Sequence, residues 1–153
     1  MTKTPPTARL PITTLVILLL TNPPLFANSD STEPTSQIAE QYRCDLNTQT
    51  DTDECEVLRQ IYRHSNGDNW HYAQHATAES MWLSNATPCE WQGVTCHNGQ
   101  IAELTLSANN MRGQLPNLSS LTHLEQLTIN QNPLLSGNLP QLFELENLTH
   151  LTI

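Results

Sequence analysis

Lysine is all but missing from this chain. It occurs once, at Lys3, in 153 residues. Five arginines join it, against fifteen Asp and Glu, for a formal net charge of −9. A nucleic-acid or anionic-membrane partner requires a basic footprint, and this chain has none, so both are set aside. The acidity itself favours solubility and identifies no partner. No long apolar run follows residue 20, so no later segment reads as a membrane-spanning helix. There is no nucleophile motif, no phosphate-cradling loop and no metal-ligand cluster. The carboxylates are plentiful, but nothing places two of them across a cleft. No enzyme activity and no cofactor are expected.

The segment 1–27 reads as a secretory signal. Lys3 and Arg9 supply the positive charge, Ile12 to Leu20 the short apolar run, and Leu25-Phe26-Ala27 a cleavage site. An uncleaved anchor is the alternative. Removing this segment leaves Arg43, Arg59, Arg63 and Arg112 as the only basic residues. The segment 28–43, rich in Ser, Thr, Glu and Pro, forms a polar leader, with one short helical turn over Ser36 to Tyr42.

What the chain has in abundance is leucine at fixed spacing. Leu104, Leu106 and Asn109 stand as Leu-x-Leu-x-x-Asn. The order returns at Leu127, Ile129 and Asn132, and opens again, after an almost equal interval, at Leu151 and Ile153. Met111-Arg112-Gly113-Gln114-Leu115-Pro116 is echoed by Leu135-Ser136-Gly137-Asn138-Leu139-Pro140, and each unit ends in leucines three apart: Leu118, Leu121, Leu124, then Leu142, Leu145, Leu148. This period, with several positions recurring together, is that of a leucine-rich repeat. A leucine zipper is excluded by the three-residue spacing and by Pro116, Pro133 and Pro140. The fold expected is an α/β leucine-rich-repeat solenoid, a right-handed coil with parallel strands on its concave face.

Elementary geometry assigns the positions of each coil. Residues two apart on a strand share a face, so Leu104 and Leu106 point into the core. Glu103, Thr105 and Ser107 then face solvent. In the following units Gln126, Thr128, Asn130, His150 and Thr152 do the same. Stacked Asn109 and Asn132 can satisfy turn backbone groups, since an amide side chain both donates and accepts. Gly113 and Gly137 permit the bend.

Upstream, Asp51-Thr52-Asp53-Glu54-Cys55-Glu56 lacks the glycine and distal Glu of a calcium loop and reads as the acidic start of a helix. Leu58, Ile61 and Tyr62 follow at helical spacing, and Asn66-Gly67 is the stop signal. The helix expected runs from Thr52 to Ser65. Trp70 and Trp82 are expected to plug the end of the solenoid. His64, His71 and His75 read as loop histidines rather than zinc ligands, because no further ligand stands at a known offset.

Pro88-Cys89-Glu90-Trp91-Gln92-Gly93-Val94-Thr95-Cys96 follows Trp82. His97-Asn98-Gly99-Gln100 then carries an Asn-Gly hairpin signal between two short strands, with Trp91 beneath. Together with the Leu-x-Gly-x-Leu-Pro units, this segment resembles the N-terminal cap and first repeats of plant-type extracellular leucine-rich-repeat proteins. Leu-Pro replaces that family's Ile-Pro. Gly67-Asp68-Asn69-Trp70, with Cys44 and Cys55, resembles the cap variant of bacterial and protist surface proteins, and the stretch from Trp70 to Trp82 is longer than the usual form. The organisation expected is a cap over 44–103 and two repeats with the start of a third over 104–153. A cap is needed because a coil buries its faces only against neighbours.

Four cysteines in an exported chain imply two disulfides, and the sequence alone permits three pairings. The resemblance implies Cys89 with Cys96, and local economy suggests Cys44 with Cys55. A four-cysteine zinc site is disfavoured by the spacing.

The resemblance implies a non-catalytic module, secreted or at the cell surface (periplasmic or outer surface in a bacterium). Its concave strand face would bind a protein, peptide or glycan. The alternatives are a structural or adhesive microbial surface protein and a secreted inhibitor of a wall-degrading enzyme. Asn85, Asn117 and Asn147 open N-glycosylation sequons. Leu142, Leu145, Leu148, Leu151 and Ile153 would need a following coil to cover them, which suggests the N-terminal part of a longer ectodomain. Self-association through that end is the other way to hide them.

Overall fold

The computed structural model describes residues 37–84, 87–137 and 140–153. The expected signal segment, most of the polar leader and the Asn85 sequon fall outside them.

The first described element is a short helix, α1, Gln37–Gln41. The principal helix, α2, spans Thr52–His64. Asp51 caps it, its carboxylate accepting from the backbone N–H of Asp53 at 2.8 Å and of Glu54. Such a cap satisfies donors that have no partner inside the helix. Asp53 and Glu54 lie in the first turn, and Arg63 and His64 in the last, each sign at the end of the dipole it favours. Cys55, Val57, Leu58, Ile61 and Tyr62 form the buried face. The helix ends at His64, one residue before the expected Ser65, which is its C-cap. Within the expected Asn66-Gly67 stop, Asn66 takes the left-handed conformation, with φ of 63°. Asparagine tolerates that region because its short polar side chain can bond locally. Gly67 is required for space instead: a Cβ there would overlap the Tyr62 ring.

The aromatic residues form one continuous stack across the cap. Tyr42 meets Trp91 edge-on, Trp91 meets Trp82, Trp82 meets Trp70, and Trp70 meets Tyr62, with ring centroids 5.0–5.2 Å apart. Trp70 and Trp91 are fully buried. A buried indole N–H needs an acceptor; Trp70 donates to the Ser65 carbonyl and Trp82 to that of Gln92, both at 2.8 Å. Disulfides join Cys44 to Cys55 and Cys89 to Cys96.

Strands β1 (Val94–His97) and β2 (Gln100–Thr105) form an antiparallel hairpin. Its turn residues, Asn98 and Gly99, have φ of 53° and 82°, as a two-residue primed turn demands. Then β3 is Arg112–Gln114, β4 is Gln126–Thr128, β5 is Leu134–Ser136 and β6 is His150–Thr152. One sheet has the order β1-β2-β4-β6, with β2, β4 and β6 mutually parallel. The boundary expected between cap and repeats, at Glu103 and Leu104, lies inside β2. A second, two-stranded parallel sheet pairs β3 with β5. It had no place in the sequence reading, which took Gly113 and Gly137 only as permitting a bend.

Inside the coil, Leu104, Leu106, Met111, Leu118, Leu121, Leu124, Leu127 and Ile129 are buried. Burying each such side chain stabilises by roughly 1.5–3 kcal/mol. Leu145 is buried, whereas Leu151, Ile153 and Phe143 are exposed. Among the described residues no helix is long and apolar enough to cross a membrane.

Candidate functional site

The four-stranded sheet sets the geometry of the candidate binding face. Leu104, Leu127 and Leu151 stand in register across β2, β4 and β6, and Leu104 and Leu127 are buried. Their neighbours on each strand point the other way. Glu103, Gln126 and His150 are in register, and so are Thr105, Thr128 and Thr152. Two rows of polar side chains therefore cross the sheet, with successive strands about 4.8 Å apart. Ser107 and Asn130 continue the face, where the ladder runs on through Leu106 N–H to Thr128 O (2.7 Å) and Ala108 N–H to Asn130 O (3.0 Å). Ser107 departs from its expected role. Its hydroxyl oxygen is buried and finds no hydrogen-bond partner among the described residues, so it is not offered to solvent.

One residue belongs on this face that the sequence reading omitted. Thr95 pairs with Glu103 and is exposed. Counting back from the Asn-Gly turn would set Thr95 against Ala102 and Val94 against Glu103. A bulge between Thr95 and Cys96 shifts the register, so Val94 pairs with Leu104 and Thr95 with Glu103. A bulge places two residues opposite one, and the extra residue leaves both Ile101 and Ala102 buried.

The face is held from beneath by the asparagine positions. Asn132 Oδ1 accepts from the N–H of Asn109 and Met111 at 3.0 and 3.1 Å, and its Nδ2 donates to the carbonyls of Leu106 and Ile129 at 2.9 and 2.8 Å. Asn109 is fully buried and reaches into the cap, its Oδ1 accepting from Tyr72 N–H at 2.9 Å. Its Nδ2 has no partner among the described residues. The stretch between Trp70 and Trp82 contains a helical turn, α3, His71–His75. It closes the sheet edge beyond β1: His71 N–H donates to Asn109 O at 3.2 Å, and the Tyr72 hydroxyl donates to Thr105 O at 3.3 Å. His71 Nδ1 lies 2.8 Å from Ala108 O.

A buried carboxylate ties α2 to the hairpin. Glu54 is 3% exposed, and its Oε2 accepts from Ile101 N–H at 3.1 Å. Burial pushes this carboxyl above its ordinary value, against the opposing effect of the Ile101 N–H. Burial, with Asp68 beside it, also pushes the Tyr62 phenol up.

Asn117 and Asn147 are exposed. Asn117 Oδ1 accepts from Ser119 N–H at 2.8 Å, and Asn147 Nδ2 donates to Thr122 O at 2.7 Å. Among the described residues no group of three or more His, Cys, Asp or Glu could hold a metal ion.

Residues 51–97 match the leucine rich repeat N-terminal domain. Receptor-like protein 35 of Arabidopsis thaliana is 37% identical over 78 residues, covering 48% of this chain and 8% of the relative. The leucine-rich repeat receptor protein kinase EMS1, also of Arabidopsis thaliana, is 42% identical over 56 residues, or 35% of this chain and 5% of the relative. A solved structure titled the crystal structure of PEPR1-AtPEP1 aligns with 67% of this chain and 18% of that chain, at 22% identity and a TM-score of 0.45. The chain thus spans less than a tenth of the length of these curated relatives.

Proposed function

We propose that this chain, a plant-type extracellular leucine-rich-repeat protein with its N-terminal cap, is a non-catalytic recognition module that binds a protein, peptide or glycan on its strand face. The observation that carries the reading is the alignment of Thr95, Glu103, Gln126 and His150, with Thr105, Thr128 and Thr152 beside them, on one sheet. The rows offer hydroxyls, a carboxylate, an amide and an imidazole, and no Lys or Arg. That set suits a hydrogen-bonding ligand that is neutral or carries a cationic group near Glu103, and it disfavours a polyanion. The face has no large aromatic anchor of the kind that dominates protein–protein hot spots, so affinity would be spread over many polar contacts. The relatives are named as receptor-like proteins and receptor kinases. The setting proposed is accordingly extracellular or at the cell surface, with the Asn117 and Asn147 sequons available for glycosylation.

The test is a screen of the disulfide-bonded chain against arrays of synthetic peptides and oligosaccharides. It is run beside Thr128→Trp, which fills the middle of the face, and Phe143→Arg, which alters an exposed side chain elsewhere. A ligand held by the parent and by Phe143→Arg but weakened about tenfold or more by Thr128→Trp, which is about 1.4 kcal/mol, supports the proposal. Binding that ignores Thr128→Trp removes it.

A further inference from the structure

Beside the N-terminus of α2 the cap and the first repeat enclose a shallow cavity of about 400 Å³. The N-cap Asp51, and Asp53 and Glu54 of α2, line it, with Gln100 at the start of β2 and Thr122 and His123 of the first repeat. The three carboxylates and His123 are the titratable groups among its lining residues. Glu54 commits Oε2 to Ile101 N–H, while Oε1 faces the imidazole, 3.7 Å from His123 Nδ1. The same Nδ1 lies 3.1 Å from the Thr122 hydroxyl. The two sides differ in burial: the Glu54 side chain is 4% exposed and that of His123 is 47% exposed, so solvent protons reach the imidazole while the carboxylate stays largely dry.

We infer that His123 is a proton-operated latch between the cap and the first repeat, closing on Glu54 when the imidazole is protonated and releasing it when the imidazole is neutral. In the neutral ring Nδ1 accepts the Thr122 hydroxyl proton. When a proton binds, Nδ1–H becomes a donor, and the buried carboxylate is the acceptor in front of it. Histidine is the side chain suited to exchanging its charge under physiological conditions, so acidification is the signal that the latch answers. Asp51 and Asp53 add negative charge on the same side and favour the closed form. Closure also has a lower limit. Burial raises the carboxyl of Glu54 above its ordinary value, so it takes up its own proton in more acidic solution and the ion pair is lost. The ion pair therefore contributes only where the imidazole is charged and the carboxylate is not protonated, whereas the stability that Glu54 gains through its own protonation still rises toward acid.

A double-mutant cycle tests this, with Glu54→Gln and His123→Gln followed by thermal unfolding at several pH values. Glutamine at position 54 keeps an acceptor for Ile101 N–H. His123→Gln is expected to lower Tm by about 2–4 °C near pH 6, to change it little near pH 8, and to have a clearly smaller effect near pH 6 once Glu54 is Gln, where only the more distant charge of Asp51 and Asp53 remains. His123→Lys supplies a permanent cation. It should raise Tm near pH 8 in the parent and not in the Glu54→Gln background, which separates the latch from a general gain of positive charge on an acidic protein. Equal effects of His123→Gln near pH 6 and pH 8, or equal effects of either substitution with and without Glu54, would overturn the latch.

Discussion

Asn132 links two coils through three hydrogen bonds, accepting from Asn109 and Met111 N–H and donating to Leu106 O, and it also donates to Ile129 and Asn130 O of its own coil. Asn109 holds the same place one coil earlier, yet among the described residues its side chain accepts only from Tyr72 N–H. Leaving several buried backbone groups unpaired costs about 1–3 kcal/mol for each group. Asn132→Ala should therefore lose about 3 kcal/mol in urea unfolding and Asn109→Ala about 1 kcal/mol, and equal losses would contradict the hydrogen-bond assignment. The glycines differ in a similar way. Gly113 and Gly137 have φ of 99° and 104°, but a Cβ on Gly113 would sit 2.5 Å from His64 O, whereas one on Gly137 would meet the flexible Gln114 side chain at 3.3 Å. Both alanine variants are strained by backbone conformation. Gly113→Ala should be the worse of the two by about 1–2 kcal/mol, read from the same urea curves. Glu54 adds a pH dependence. Its carboxyl is raised in the folded chain, so the folded state holds this proton at pH values where the unfolded state has released it. Stability from this group is present at low pH and is lost as pH rises through the folded value. Glu54→Gln should thus stabilise near neutral pH and lose that advantage in acid, and a pH-independent effect would count against the assigned burial.

At the scale of the element, α2 was the most legible part of the cap. Its acidic start, apolar spacing and stop were all in the sequence, and the Asn66-Gly67 signal contains the residue that turns left-handed. Asp51→Ala should cost about 1 kcal/mol through the lost N-cap, seen as a lower urea midpoint with unchanged slope. The hairpin turn was equally plain in Asn98-Gly99. The bulge above it was not, because one extra residue leaves no mark in a pattern of alternating burial until the packing of Val94 is known. For that reason Thr95 escaped notice as a residue of the strand face. The coil turns hid another feature. Ala108 and Gln131 both precede the repeated asparagines and both have positive φ, 51° and 59°. Neither residue type signals that conformation. Ala108→Gly should accordingly be neutral or stabilising by up to about 1 kcal/mol, whereas glycine at an ordinary loop position destabilises. The β3–β5 sheet was invisible for a further reason: its strands are three residues long, too short for a period to show.

At the scale of the whole molecule, the repeat period determined the architecture. A Leu-x-Leu pair returning at a nearly constant interval places successive strands side by side and in register, and the polar residues between the leucines then have one face to occupy. The cap was harder to read between Trp70 and Trp82, where helical propensity is weak and the segment is ordered by the coil edge it covers. Tyr72 bonds to Asn109 and to Thr105 O, contacts that no local pattern encodes. The stacked rings of Tyr42, Trp91, Trp82, Trp70 and Tyr62 and the two disulfides give the first coil a rigid neighbour, each disulfide contributing about 2–3 kcal/mol in the chain-entropy model. Recognition on the strand face is the central claim built on this frame. The most direct measurement is a tryptophan scan read as Kd for the ligand that the arrays identify. Thr105, Gln126, Thr128 and Thr152 would be replaced one at a time, with Gln114 and Ser136 of the second sheet as controls. The account predicts losses of about tenfold or more on the strand face and Kd values near the parent on the second sheet. Losses confined to the second sheet, with the strand face tolerant, would contradict it.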